Sequence, residues 1–235
     1  MADDLDRAKA VAARAAVEHV RPGMRVALGT GTSAAHAVRE LAAQFPRNPP
    51  DCVASSRATE ELARSLGLPI RDLRADDRFD LMIDGADEVS PTLDLTKGHG
   101  GALLREKLLA RLSGTLVIIV DPTKLVDRLG TRARIPVEVV PFARAVLGHR
   151  FSEDGYRVSH RTVAGGGPFV TDNGNEILDL APTRPIDEPA AVAAALRAPT
   201  GVVETGLFVG MADRVIVGRA DGTVDERLRA PARPR

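Results

Sequence analysis

The sequence predicts an α/β protein with a Rossmann-like, largely parallel sheet domain and a smaller ferredoxin-like α+β domain. In the first half of the chain, short apolar strands alternate with helices, which is typical of parallel sheets. After residue 130 the order becomes strand, helix, strand, strand, helix, strand, as in ferredoxin-like domains. We therefore expect residues 1–130 and 207–235 to form the first domain and residues 131–206 the second.

The first domain is expected to begin with an amphipathic helix from Leu5 to Val20, which Pro22 and Gly23 end. Alternating strands and helices follow: the strand RVAL, a helix in GTGTSAAHAVREL, a strand through Val53, a helix near Glu60 to Leu66, the strand FDLMI, a helix from about Gly101 to Leu112, and the strand TLVIIV. Because parallel strands need crossover connections, this alternation predicts a parallel sheet with helices on both faces.

The second domain is expected to contain the strand RIPVEVV, a short helical stretch near Ala143, and the segment FVTDNGNEILDL. Asn173-Gly174 between alternating apolar residues indicates a hairpin. An alanine-rich helix, EPAAVAAALR, and a strand, GVVETGLF, complete the domain. The terminal segment DRVIVGRADGTVDERL predicts a further hairpin that returns to the first domain.

The chain has 235 residues, of which 32 are basic and 32 acidic, so its formal net charge is zero. The chain lacks the positive electrostatic field that would hold nucleic acid or an anionic membrane, and an anionic ligand must be bound locally.

The first twenty residues contain acids and no uninterrupted apolar core, so they predict neither a signal peptide nor a membrane span. The single cysteine, Cys52, lies in an apolar run and indicates a buried thiol in a reducing compartment. We expect a soluble cytoplasmic protein.

The segment GTGTSA, residues 29–34, which we call the glycine turn, follows a strand and precedes a helix. It resembles a dinucleotide-binding turn, but the next strand ends CVASS, without the acid that would hold a ribose hydroxyl. The lysine of an ATP-binding P-loop is also absent. Backbone N–H groups and the hydroxyls of Thr30, Thr32 and Ser33 at the positive end of a helix suit one phosphate. A tight turn with a Thr or Ser N-cap is the structural alternative.

Asp84 and Asp87, in the segment DGAD, follow the apolar strand FDLMI. Open parallel sheets bind ligands beyond the carboxyl ends of their strands, so both acids are expected to share a pocket with the glycine turn. A turn Asp followed by a helix-capping Asp would explain the pair without a ligand. Mg²⁺ is a third possibility, but paired Asp residues without His or Cys at ligand spacing are weak evidence, and we expect no metal.

The segment KGHGGALLREK begins with Lys97 and leads through glycines into a helix. Glycines before a helix leave backbone N–H groups available to an anion or a developing oxyanion. Glu106 lies in this helix, and the residues three and four positions away are Ala or Leu. Partial burial among them would raise the pKa of Glu106 towards that of a useful general base. A solvated groove lined by small residues is the alternative.

Only four of the basic residues are lysines: Lys9, Lys97, Lys107 and Lys124. In a chain that favours Arg, a remaining Lys can mark a place that needs a compact ammonium group. Lys97 and Lys124, the latter in VDPTKLV after TLVIIV, lie beside expected ligand loops. Lys107 is expected to be a surface residue.

His99 lies among the glycines of the segment GHGG, residues 98–101, and is expected to contact a ligand or to cover the site.

Eight segments, in order over nearly the whole chain, resemble ribose-5-phosphate isomerases of the A type: LGTGTSAAH, ASSRATEELARSLGLPI, DLMIDGADEV, KGHGGALLREK, VDPTKLVDRLG, PVEVVPFAR, VTDNGNEILD and GVVETGLF. The succession of DGAD, KGxGGALLREK and DPTKLV is specific to that family. This sequence departs from the family in two places. His99 stands where the family has a glycine, and GTGTSA exchanges the usual order of Ser and Thr.

The resemblance implies interconversion of D-ribose 5-phosphate and D-ribulose 5-phosphate through an enediol, in the non-oxidative pentose phosphate pathway, without a cofactor. It implies that Glu106 moves the proton between C2 and C1 and that Lys97 stabilises the oxyanion. Asp84 and Asp87 would handle ring opening and the hydroxyl protons. The residues implied to bind the sugar phosphate are Lys9, Thr30, Gly31, Thr32, Ser33, Gly85, Ala86, Gly98, His99, Gly100 and Lys124. A homodimer or homotetramer is a further expectation from the family.

Two other functions stay open at this point. A sugar-phosphate sensor, like the effector domains of some transcription regulators, would need only the phosphate turn, although we expect no DNA-binding segment beside the core. A deaminase or lactonase that acts on a hexose phosphate is the second alternative. Ketose formation from ribose 5-phosphate, measured beside glucosamine 6-phosphate, would separate the three functions.

Overall fold

A computed structural model describes residues 2–230, which form two compact units. The larger unit contains residues 2–85, 109–123 and 210–230, and the smaller contains residues 86–108 and 124–209. The ends of the predicted first domain, residue 1 and residues 231–235, lie outside the described residues. The predicted domain limits, residues 1–130 with 207–235 and residues 131–206, stay a prediction.

In chain order the described residues form α1 (Ala2–Val17), β1 (Arg25–Leu28), α2 (Thr32–Gln44), β2 (Asp51–Ala54), α3 (Arg57–Ser65), β3 (Leu81–Gly85), β4 (Glu88–Val89), β5 (Leu95–Thr96), α4 (Leu103–Leu112), β6 (Leu116–Val120), a 3-10 helix (Pro122–Lys124), β7 (Ile135–Val139), a 3-10 helix (Pro141–Ala143), α5 (Arg144–Glu153), β8 (Tyr156–His160), β9 (Glu176–Pro182), α6 (Pro189–Arg197), β10 (Val202–Thr205), β11 (Leu207–Phe208), β12 (Arg214–Gly218) and β13 (Val224–Leu228).

The larger unit is built on a six-stranded sheet in the order β13-β12-β6-β3-β1-β2. Its strands are parallel except β13, which pairs antiparallel with β12. Every residue of β6, the segment LVIIV, is buried, as expected for a strand covered on both faces. Small residues of α1, such as Ala12 and Ala16, share one core with Leu28, Ile83 and Ile119 of the sheet. The Rossmann-like sheet and the returning terminal hairpin are confirmed.

The smaller unit contains an antiparallel sheet in the order β10-β7-β9-β8. Together with α5 and α6, these strands follow the predicted order of strand, helix, strand, strand, helix, strand. Alternate residues of β7 and β9, including Ile135, Val137 and Leu180, form its core with Phe151 of α5. The ferredoxin-like domain is therefore confirmed. The helix expected as a short stretch near Ala143 is longer, because α5 has ten residues.

Three further details differ from the expectation. The strand expected before Asn173-Gly174 is reduced to an isolated bridge from Val170 to Glu176, and the strand that pairs with β9 is β8, Tyr156–His160, which was not predicted. The first helix spans Ala2–Val17 and so begins and ends three residues earlier than expected. The segment GVVETGLF, expected as one strand, is divided at Gly206 into β10 and β11. At Gly206 the backbone lies so close to the carbonyl of Lys97 and to Pro136 that no Cβ would fit, and the chain passes there into a small sheet of β11, β5 and β4.

No helix within residues 2–230 is both long enough and apolar enough to span a membrane.

Candidate active site

In the larger unit, the glycine turn lies beside Asp84 at the ends of two neighbouring parallel strands. β1 pairs with β3 so that Leu28 stands opposite Ile83, and the turn that follows β1 therefore meets the last two residues of β3, Asp84 and Gly85. The Asp84 side chain is buried, and its Oδ1 accepts the N–H of Thr30 at 3.1 Å and that of Gly85 at 2.7 Å. Asp84 thus fastens the turn to the end of β3.

The helix that follows the turn, α2, begins without a side-chain cap. Its N-cap is Gly31, at φ 98°, a backbone conformation that favours glycine. The alternative of a Thr or Ser N-cap is therefore wrong for this helix. Lys9 Nζ donates to Thr32 Oγ1 at 3.1 Å, which places an ammonium group beside the first turn. The uncapped first turn and this ammonium form positive surroundings that suit a phosphate.

The three hydroxyl residues of the turn have different surroundings. The Thr30 hydroxyl is hydrogen-bonded to Ser55 Oγ at 2.7 Å and to Ser56 Oγ at 2.9 Å. Thr32 is exposed and Ser33 is half-buried at the start of α2. Thr30 therefore contributes to the shape of the turn through its hydroxyl, whereas Thr32 and Ser33 begin the helix that faces an incoming anion.

Gly29→Ala is expected to lower the kcat/KM of the protein, because a Cβ at this position would overlap the Asp84 carboxylate. Overpacking of this kind costs about 1–3 kcal/mol of unfolding free energy, and the displaced carboxylate would release the turn. Steady-state kinetics and thermal melts measure both effects. Gly114→Ala is the control, because Gly114 also lies in the larger unit, is not among the glycines with positive φ, and a Cβ there would meet its nearest neighbour, the Asp80 carbonyl oxygen, at an ordinary contact distance of 3.4 Å. A folded Gly29→Ala protein with the kinetics of Gly114→Ala would contradict the role of this contact.

In the smaller unit, Lys97 and Glu106 form a buried ion pair. Lys97 Nζ lies 3.0 Å from Glu106 Oε2, and each side chain is only 3% exposed. Gly98, at φ 104°, turns the chain after Lys97, and a Cβ there would lie 2.9 Å from Leu103 Cβ at the start of α4. This close return of the chain onto its own helix brings the two charged groups together, although nine positions separate them in the sequence.

Lys107 is a buried residue, and the expectation that it lies on the surface is wrong. It is 5% exposed, and its Nζ donates to Glu204 Oε1 at 2.8 Å and to the Thr205 carbonyl at 2.6 Å. The Phe208 ring is close to two ammonium groups, with its centroid 4.7 Å from Lys107 Nζ and 5.3 Å from Lys97 Nζ. Both distances are within the range of cation–π attraction. Phe208 and Glu204 therefore belong to the surroundings of Lys97.

Asp87 and His99 face each other in the smaller unit. The backbone N–H of His99 donates to Asp87 Oδ2 at 3.1 Å, and His99 Nδ1 lies 3.4 Å from Asp87 Oδ1. The His99 side chain is 51% exposed, whereas that of Asp87 is 17% exposed. His99 thus lies at the surface beside the Asp87 carboxylate.

The predicted site residues therefore fall into two sets, each within one unit. The set of the larger unit is Lys9, Thr30, Gly31, Thr32, Ser33, Asp84 and Gly85. The set of the smaller unit is Ala86, Asp87, Lys97, Gly98, His99, Gly100, Glu106 and Lys124. Within residues 2–230, no group of three or more His, Cys, Asp or Glu side chains could hold a metal ion.

Sequence reasoning missed Phe208 and Glu204, which contact the two buried lysines. The only available signal was compositional, since aromatic residues make up 3% of the chain and one of the few phenylalanines ends the segment GVVETGLF.

Cys52 has the buried position expected for it. Burial, with a smaller contribution from the neighbouring Asp51 charge, raises the pKa of its thiol to about 12.

Comparison with known proteins shows extensive similarity. A family model described as ribose 5-phosphate isomerase A (phosphoriboisomerase A) matches residues 51–222. Ribose-5-phosphate isomerase A of Chloroflexus aurantiacus is 47% identical over 217 residues, which cover 91% of this chain and 90% of that protein. The probable ribose-5-phosphate isomerase 3, chloroplastic, of Arabidopsis thaliana is 44% identical over 228 residues, which cover 94% of this chain and 82% of that protein.

Solved structures show the same similarity in three dimensions. A D-ribose-5-phosphate isomerase in complex with phospho-erythronic acid has a TM-score of 0.92 and 35% identity, with coverage of 96% of this chain and 100% of the other. The ribose 5-phosphate isomerase of Plasmodium falciparum has a TM-score of 0.91 and 33% identity, with coverage of 95% and 99%. The similarity thus extends over nearly the whole chain.

Proposed function

The chain belongs to the ribose 5-phosphate isomerase A family and is an isomerase that interconverts ribose 5-phosphate and ribulose 5-phosphate; from this premise we propose that Glu106 and Lys97 carry out the proton transfer. The buried pair of Glu106 and Lys97 is the observation that carries the proposal. Removing two charges from water is costly, and a buried ion pair is often no more stable than apolar residues of similar volume. The position of this pair beside Gly98 and the glycines that follow it therefore has a better explanation in chemistry than in stability.

In the proposed mechanism, the Glu106 carboxylate removes the proton from C2 of ring-opened ribose 5-phosphate. The carbonyl oxygen at C1 gains a proton at the same stage, which gives an enediol. Glu106 then returns its proton to C1 while the C2 hydroxyl loses one, and ribulose 5-phosphate results. The Lys97 ammonium, 3.0 Å from the Glu106 carboxylate, stabilises the negative charge that develops on the substrate oxygen.

The remaining site residues have proposed roles in binding and in hydroxyl chemistry. Asp84 and Asp87 handle ring opening and the hydroxyl protons, and the partial exposure of Asp87 supports contact with a ligand. The uncapped start of α2 at Gly31, with Thr32, Ser33 and Lys9, binds the phosphate. Lys124, half-buried at the end of its 3-10 helix, supplies a further ammonium. Gly85, Ala86, Gly98, His99 and Gly100 contribute backbone contacts to the substrate.

Protein that has been treated with EDTA and freed of nucleotides is expected to form ketose from ribose 5-phosphate at an undiminished rate. The proposed steps use only carboxylates, ammonium groups, hydroxyls and backbone donors, so no added metal or nucleotide should be needed. Ketose formation is measured beside a second reaction that contains glucosamine 6-phosphate, from which no product is expected.

Each alternative function has its own signature in this experiment. Activity that returned only on addition of a divalent metal would overturn cofactor independence. Binding of ribose 5-phosphate without turnover would indicate a sensor. Release of ammonia from glucosamine 6-phosphate would indicate a deaminase.

We also propose that the protein acts in the cytoplasm, in the non-oxidative pentose phosphate pathway, as a homodimer or homotetramer. The single thiol, Cys52, is buried and resists ionisation, which suits a reducing compartment. Phe142 is 98% exposed and Val146 is 73% exposed in one segment of the smaller unit, and such apolar surface is typical of contacts between subunits. Sedimentation of the purified protein measures the number of subunits.

A further inference from the structure

Arg161 lies in the smaller unit directly after β8 and contacts the glycine loop, which we define as residues 98–101. Its Nη1 donates to the carbonyl of Gly98 at 2.9 Å and to that of His99 at 3.0 Å. On its other edge, Nε donates to Asp179 Oδ2 at 2.9 Å and Nη2 pairs with Oδ1. The Arg161 side chain is 12% exposed. One guanidinium group therefore joins a carboxylate of β9 to two consecutive carbonyls of the loop.

These contacts hold the peptide group between Gly98 and His99 at both ends. Its carbonyl accepts from Arg161, and its N–H donates to Asp87 Oδ2 at 3.1 Å. The next peptide group is held at the carbonyl of His99. Because a trans peptide group is planar, a fixed carbonyl directs the N–H of the following residue, Gly100, to the opposite side. Arg161 thus sets the direction of backbone donors in the loop.

Phe169 adds a second contact between the same partners. Its ring centroid lies 5.8 Å from Arg161 Cζ, within cation–π range. The ring also occupies the space that a Cβ on Gly101 would take. The last residue of the glycine loop is therefore packed against the ring that flanks Arg161.

We propose that Arg161, anchored by Asp179, is a positioning residue that keeps the glycine loop in the orientation needed for the oxyanion. This inference rests on the proposed role of the loop and of Lys97 in the reaction. Glycine-rich backbone has many accessible conformations, and donors stabilise developing charge best when they are oriented before the reaction. The planar guanidinium can hold a carboxylate and two carbonyls at once, whereas the single ammonium of lysine cannot match that fork.

The test is Arg161→Lys, which keeps the positive charge and one contact to Asp179. The kcat for ribose 5-phosphate is expected to fall on the order of 10-fold, while KM changes by less than about 3-fold, because orientation of the donors acts on the transition state. Affinity for phospho-erythronic acid, the ligand of the related solved structure, is measured by inhibition and should fall with kcat. Thermal melts measure folding.

Arg144→Lys is the matched control. Arg144 also lies in the smaller unit and pairs with an acid of β9, with Nη1 at 3.2 Å from Glu176 Oε2. This variant should keep the parental kcat, KM and inhibition. If Arg161→Lys does not fold, Asp179→Asn replaces it, because it removes the anchor charge and leaves Arg161 in place. A lowered kcat in folded Asp179→Asn protein would then support the proposal, and a parental kcat would overturn it.

Hydrogen exchange over residues 97–103 separates this inference from the proposed function, since it reports on the loop without any turnover. Faster exchange there in Arg161→Lys, with parental exchange elsewhere, is the expected result. A folded Arg161→Lys protein with parental kcat and parental loop exchange would show that the pair with Asp179 only joins β8 to β9. Parental protein without isomerase activity would count against the proposed function alone.

Discussion

Glu106→Gln is expected to lower the rate of isomerisation on the order of 10²- to 10⁴-fold, with substrate binding largely retained. The amide has nearly the shape of the carboxylate and can still contact Lys97, which lies 3.0 Å from Glu106 Oε2. It cannot accept the proton from C2, so the step itself should fail. The kcat for ribose 5-phosphate measures the loss, and exchange of solvent deuterium into C2 should fall in parallel.

Glu204→Gln is the matched control for the Glu106 variant. Glu204 is also a largely buried glutamate paired with a buried lysine, with Oε1 at 2.8 Å from Lys107 Nζ. Its replacement should lower the thermal midpoint and leave turnover per folded molecule near the parental value. Undiminished deuterium exchange in Glu106→Gln would reassign the base to Asp84 or Asp87.

Lys97→Arg is expected to lower kcat about 10- to 100-fold, although it preserves the charge. Lys97 is enclosed, with Glu106 on one side and the Phe208 ring 5.3 Å from its Nζ. A guanidinium is broad and planar, so it cannot take the place of a compact ammonium at a single oxyanion without displacing its neighbours. Steady-state kinetics measure the loss of rate, and thermal melts measure the overpacking.

Lys107→Arg is the control for the Lys97 variant, because Lys107 is a second buried lysine near the same aromatic ring. Lys107 is buried beside the same Phe208 ring, with 4.7 Å from its Nζ to the centroid, but its ion pair is with Glu204. Both variants should suffer a similar cost of overpacking, about 1–3 kcal/mol in unfolding free energy. Only Lys97→Arg should also lose turnover per folded molecule. Equal turnover in the two variants would show that any positive charge serves at position 97.

The elements of the fold were largely predictable, because each leaves a pattern within its own segment. LVIIV is apolar at every position and became the fully buried β6, and the alanine-rich EPAAVAAALR contains α6. The two-residue strands β4 and β5 were not predicted, because two residues are too few to show a period. The division of GVVETGLF at Gly206 was missed for another reason: the close approach of Lys97 and Pro136 to that glycine comes from distant segments.

The site shows the same division between local pattern and distant contact. The motifs DGAD and KGHGGALLREK identified Asp84, Asp87, Lys97 and Glu106 as candidates from their residue types and positions. They did not indicate that Lys97 and Glu106 pair with each other. The surface position assigned to Lys107 was wrong, because its partner Glu204 lies 97 residues away in the chain.

The sequence by itself determined the alternation of strands and helices, the small ferredoxin-like order, and the types of groups available for a proton transfer at carbon. Only the tertiary structure decided which charged groups meet: Lys97 with Glu106, Lys107 with Glu204, and Arg161 with Asp179 and the loop carbonyls. Periodicity reports which face of one element avoids water. Contact between side chains of separate elements depends instead on the backbone of the loops and on packing. The turn at Gly98, φ 104°, is an example, because it brings Lys97 beside Glu106 of α4.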